Sequence, residues 1–333
     1  MKKVIATMAA VLLGLTACSE QKQATKEGVT KEQILFPIGE RIDNPAFTGE
    51  AYLNPLIAPD SVFNFPQTNV VTFEPGAHSS WHRHGGMVVL VTGGVGLYQE
   101  EDKAAIKREQ SDAGISSAER EQARPMVKPA QVLRKGDVLQ IPAGVRHWHG
   151  ATKDNWFSQV VIYDMSWRPE AQVDEDNTLS DEYYNDLALE EYNHPTLIDS
   201  LMFAAPDSTL TLPTFNGPIR LANTVDAPNA AGAPGLHYVV FEPGVINAWH
   251  THPGGQILIV TDGIGYHQIE GQPVEVLHPG DVAKCPPGVK HWHGASVNSR
   301  FAHLAVGTNP NMPPVIWTDE MVSKEEYDRL PKE

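Results

Sequence analysis

The chain has 333 residues, with 25 Lys plus Arg against 41 Asp plus Glu and a formal charge of −16. That balance excludes the basic face a nucleic-acid binder needs. An apolar fraction of 41% with 20% charged residues excludes wholesale disorder, and two cysteines exclude a disulfide framework. The length suffices for two domains, and the 27 glycines and 26 prolines suit short strands joined by tight turns.

At the N-terminus, Lys2 and Lys3 precede an apolar run over residues 4–17, too short for a bilayer span of about 20 residues. The run ends in Leu15-Thr16-Ala17-Cys18, which resembles the lipobox of bacterial lipoproteins. The resemblance implies a signal peptide at 1–17, cleavage before Cys18 and lipidation of that cysteine. Ser19, in place of the Asp that favours inner-membrane retention, points to a cell-envelope lipoprotein on the outer-membrane or periplasmic side. Residues 18–34 read as a polar tether. Cys285 is then the one free thiol, expected to be buried and inert.

The rest is organised by an internal repeat. Residues 71–98 (VTFEPGAHSSWHRHGGMVVLVTGGVGLY) match 240–267 (VFEPGVINAWHTHPGGQILIVTDGIGYH), and 132–157 match 276–301. The chain therefore divides into an N-terminal copy at 35–190 and a C-terminal copy at 191–333. The first copy alone carries a charged insertion over about 103–126, expected to be a solvated loop. Within each copy, β-branched runs alternate with turn residues, Gly93-Gly94 in one and Asp262-Gly263 in the other, and helical periodicity is lacking. The pattern indicates an all-β sandwich or barrel. A capping-box string at Ser323-Lys324-Glu325-Glu326, mirrored at Ser180, predicts a short helix closing each copy.

Eight of the 14 histidines fall into four His-x-His pairs, at 82/84, 147/149, 250/252 and 291/293. Strand residues two apart share a face, so each pair presents two imidazoles side by side, and clustered imidazoles are ligands for mid-series divalent metals. Trp81, Trp148, Trp249 and Trp292 beside them read as packing residues. Serine-nucleophile, phosphate-loop and dinucleotide patterns do not occur; the glycines at 93–96 lie between strand-like runs.

The spacing of Gly244, His250, His252, Gln256 and Gly263, followed by Gly280, Pro286, Gly288 and His291, resembles the two motifs of the cupin superfamily, with Gln in place of the usual Glu. Gly76, His82 and His84, then Gly136, Pro142, Gly144 and His147, repeat them. The resemblance implies two double-stranded β-helix (jelly-roll) barrels and a divalent metal on three histidines and a fourth side chain. Carried over by position, the C-terminal ligands are His250, His252, Gln256 and His291, and the N-terminal ones His82, His84 and His147. Met87 stands opposite Gln256, because HRHGGM is one residue shorter than HTHPGGQ. The HTHPGGQ and HWHGA strings resemble small bacterial cupins labelled carboxymuconolactone decarboxylase-like, a group that includes manganese-dependent hydroxynitrile lyases.

The resemblance implies a metal-dependent enzyme for a small oxygen-bearing substrate, anionic or carbonyl. Manganese is favoured over iron, zinc, nickel or copper, with lyase-type Lewis-acid chemistry. Replacing Glu by Gln leaves the site more positive and the metal a stronger Lewis acid. His293, two residues beyond His291 on the same face, is the candidate general acid/base, and His303 a second candidate. Their counterparts in the first copy are His149 and Gln159. An oxygen-using oxidase or dioxygenase is the alternative, as is a metal- or ligand-binding surface lipoprotein without catalysis. Two fused copies allow either a monomer or a homodimer.

Overall fold

The computed structural model describes residues 30–104, 127–164, 173–174, 179–309 and 311–332. The signal peptide, Cys18, most of the tether and insertion residues 105–126 lie outside the described residues. Among those described, no helix is long and apolar enough to cross a membrane.

The architecture is all-β, with each copy forming a jelly roll. In the C-terminal copy, one sheet runs Ile219–Val225, Leu236–Phe241, Phe301–Gly307, Gln256–Gly263, Val282–Cys285. The facing sheet runs Glu275–Leu277, Gly265–Ile269, His291–Ala295, His250–Thr251, Ile316–Trp317, and the pairings in both are antiparallel. The N-terminal copy repeats the scheme, with one 14-residue strand, Met87–Glu100, serving both sheets.

Gly93-Gly94 and Asp262-Gly263, both expected as turns, lie instead at bulges, where a strand leaves one sheet for the other. The register slips between Ser158 and Gln159 in one copy and between Val260 and Asp262 in the other. Gly94 and Gly263 take φ of +80° and +69° there. A Cβ on either would sit within 2 Å of a backbone oxygen, that of Trp156 or Arg300. Only glycine fits a strand bent so sharply against its neighbour. Helices close each copy as expected. Asp181–Asn185 is capped by Ser180, and Lys324–Asp328 has a full capping box between Ser323 and Glu326.

The two-residue period of a strand sorts the apolar residues into two cores. Val71, Phe73, Val89, Val91 and Val161 fill the first barrel, and Val239, Phe241, Leu258, Val260 and Phe301 the second. The alternate positions point the other way: Val70, Val88, Leu90, Val160 and Ile162 meet Tyr238, Val240, Ile257, Ile259, Leu304 and Val306 in one shared cluster. The barrels therefore pack sheet against sheet, which is why these strands read as unbroken apolar runs.

Candidate metal centre

Each barrel gathers its histidines between its two sheets. In the second copy, His250 and His291 are paired across adjacent strands, with ring centroids 4.1 Å apart, and His252 follows two residues later. The ligand atoms of His250, His252 and His291 all lie within 4.8 Å of one another, as do those of His82, His84 and His147. Backbone carbonyls orient the rings. Nδ1 of His250 donates to Ala248 O at 2.9 Å and that of His291 to Val289 O at 3.2 Å, while His252 is held by Pro314 O. In the first copy His82 Nδ1 donates to Ser80 O and His147 Nδ1 to Val145 O, both at 2.9 Å. With Nδ1 carrying the proton, Nε2 is left as a lone pair. Among the described residues, the buried Nε2 atoms of His147 and His252 have no hydrogen-bond partner.

Burial dominates the electrostatics. It pushes His250 down to about 3 and His291 down to about 2, with neighbouring imidazoles adding to the effect, and holds His147 well below the ordinary range. These rings are neutral at ambient pH, the state a metal requires. Gln256 joins them: its Oε1 stands 3.4 Å from His291 Nε2, so two acceptors face each other, an arrangement a shared cation stabilises. Orphaned buried nitrogens, neutral rings and this oxygen make the set fit a divalent ion. Met87 occupies the place of Gln256: Met87 pairs with Ile141 as Gln256 pairs with Cys285, and it lines the first cavity with His82 and His84.

His293 and His303 both line the second cavity, with ring centroids 5.0 Å apart. Burial pushes His303 down to about 3 and His293 far down, the latter helped by His303 beside it. Asn247, absent from the sequence reading, settles the His293 tautomer. Its Oδ1 accepts the His293 backbone N–H at 2.9 Å, which fixes the amide, so Nδ2 donates to Nε2 at 3.1 Å. His293 therefore carries its proton on Nδ1, and among the described residues neither that atom nor either ring nitrogen of His303 has a side-chain partner. In the first copy Gln159 occupies Nδ1 of His149 at 2.7 Å, so that imidazole is tied up.

The tryptophans named from the sequence pack against the barrels. Trp148 and Trp292 are fully buried, and each donates to a glutamine, Gln99 or Gln268, at 2.8 Å. The cavity tryptophan is Trp317, 4.6 Å from the His250 ring on a short edge strand that carried no sequence signal. Cys285 is buried as expected, its thiol pushed up to about 12. It faces His291 Nδ1 at 2.7 Å, and with His267 the three form a further cluster of possible ligand atoms.

Comparison with known proteins bears on the family and the fold. The cupin domain family model matches residues 237–306. Over 115 residues the chain is 47% identical to (R)-mandelonitrile lyase of Granulicella tundricola, covering 34% of this chain and 86% of that protein. The chain belongs to the cupin superfamily. A cupin-like protein of Thermotoga maritima is 38% identical, over 38% of this chain and 95% of that one, with a TM-score of 0.36. Oxalate decarboxylase of Lactobacillus farciminis, in its formate complex, covers 92% of this cupin and 98% of its own chain at 12% identity and a TM-score of 0.50, a likeness of fold alone.

Proposed function

We propose that the second barrel is the active site of a metal-dependent lyase acting on a small hydroxyl or carbonyl compound, with cyanohydrin cleavage the reference reaction. The observation that carries this reading is a triad of neutral imidazoles with Gln256 beside His291, facing a cavity that also holds His293 and His303. The similarity to a mandelonitrile lyase supplies the reaction class. His250, His252, His291 and Gln256 would hold the ion; three nitrogens and an amide oxygen suit manganese or iron better than a soft metal. When bound, the ion supplies Lewis acidity at the substrate oxygen, lowering that oxygen's affinity for its proton.

The protein's own groups handle the proton. In the cleavage direction the hydroxyl proton passes to a free ring nitrogen of His303 as the carbon–carbon bond to the nitrile breaks, leaving an aldehyde and cyanide. Nδ1–H of His293 hydrogen-bonds to the departing cyanide. His303, a weak base in its buried setting, passes to that cyanide the proton it took, so hydrogen cyanide leaves and both imidazoles return to their starting state. The first barrel would hold a metal on His82, His84 and His147 without matching this chemistry, since Gln159 ties up His149. The lipobox-like string ending at Cys18 supports an envelope lipoprotein.

The test is elemental analysis beside benzaldehyde release from mandelonitrile. Wild type should carry an ion in each barrel. His250→Ala should lose the second-barrel ion and all turnover, whereas His82→Ala should lose the other ion and keep turnover. Undiminished cleavage by His250→Ala would overturn the assignment.

A further inference from the structure

The two histidine triads are built alike, yet the space in front of them is not. The first cavity measures about 190 Å³ and the second about 480 Å³. Strand register locates one cause. Tyr163 pairs with Met87, and Gly307 pairs with Gln256, so the two occupy equivalent positions. Tyr163 is buried, lies edge-on to His84 at 5.8 Å and lines the small cavity. Gly307 lines the large one.

Nothing local requires that glycine. Its φ lies outside the left-handed region, and a Cβ added there would meet no atom within 4 Å. Gly307 ends the strand Phe301–Gly307 and is exposed there, so the absence of a side chain leaves its backbone open to close approach from the cavity. The rest of the lining describes what approaches. Phe215, Leu221, Val239, Met312 and Trp317 supply apolar wall, and among the described residues that line the cavity none is Lys, Arg, Asp or Glu. Away from the ion that His250, His252, His291 and Gln256 would hold, a charged group would lose its hydration against this wall without a side chain to replace it.

We propose that the second barrel takes neutral, largely apolar substrates bulkier than a single aromatic ring, and that Gly307 is the residue that admits them. This rests on reading that barrel as the substrate site, and of the anionic and carbonyl substrates expected from the sequence it favours the carbonyl. Its volume lies in the range of about 300–1,000 Å³ that encloses drug-sized ligands.

The experiment is a binding titration of the full chain, followed by tryptophan fluorescence, with benzaldehyde, biphenyl-4-carbaldehyde and 4′-formylbiphenyl-4-carboxylate. Wild type should prefer the neutral biphenyl to both others. Gly307→Tyr should lower the biphenyl-to-benzaldehyde affinity ratio by about tenfold or more, with metal content unchanged, and Gly307→Ala should do so by less. An unchanged ratio in Gly307→Tyr, or equal affinity of wild type for the carboxylate and the neutral biphenyl, would overturn the proposal. Binding is read without turnover. Tight biphenyl binding with no cyanohydrin cleavage would therefore count against the lyase alone, and mandelonitrile cleavage without the size preference would count against this proposal alone.

Discussion

Asn247 offers a direct test of how the second barrel works. Its side chain is 1% exposed and makes two bonds to one residue, accepting from the His293 backbone N–H and donating to His293 Nε2. Asn247→Ala removes both and leaves a buried N–H without a partner, a loss of about 1–3 kcal/mol in stability. It also frees the imidazole to change tautomer, which should lower kcat by about ten- to a hundredfold, the scale on which orienting partners act. Asn247→Asp separates the two effects. The carboxylate still accepts the backbone N–H, so stability falls less, but it demands a proton from Nε2 and so removes the Nδ1–H donor. Denaturant titration gives the first quantity, and steady-state cleavage of mandelonitrile across pH the second. Wild-type kcat in Asn247→Asp would refute the tautomer argument outright.

Two further outcomes follow from the packing and from one ion pair. Ile259, fully buried in the cluster shared by the barrels, should cost about 2–5 kcal/mol when cut to Ala. Because the cluster draws on both copies, both should unfold in one transition; separate transitions by calorimetry would contradict a common core. His194 is lowered by burial but raised more by the hydrogen bonds it donates to Glu191 and Asp137 and by their charge, for a net upward shift. A raised folded-state value means its stabilisation is complete below the ordinary value of 6.5 and disappears as pH climbs through the shifted one. Lowering pH from about 8 to about 6 should therefore stabilise wild type more than His194→Gln, as read by urea midpoint. Equal pH responses would remove His194 from the account.

Much of the centre was legible because its chemistry is written in short spacings. His-x-His places two rings on one strand face, and the repeat shows that the pattern is deliberate. Gly93-Gly94 and Asp262-Gly263 were legible as bends but differ from the turns expected, since a bulge and a turn can both use the positive φ of Gly94 and Gly263 and only pairing distinguishes them. Asn247, Trp317 and Gly307 were not legible as cavity residues. Each acts through neighbours set by strand register: Asn247 lies 46 residues from His293, and Gly307 opposes Gln256 only in the folded sheet. The second face of the sandwich sheets was equally hidden, for a run such as QILIVTDG states that both sides are covered without saying by what.

The shared sheet-to-sheet core also acts as a wall. Side chains facing it hold the barrels together, and side chains facing away from it build the two cavities, so each strand separates assembly from chemistry by alternate residues. Among the described residues, that wall stands between the two histidine triads. Changes at Tyr163 or Gly307 reshape one chamber while Ile162 and Val306, their neighbours in the chain, keep the halves joined. After duplication, each cavity was thus free to drift, close or specialise without risk to the joint that keeps the molecule whole.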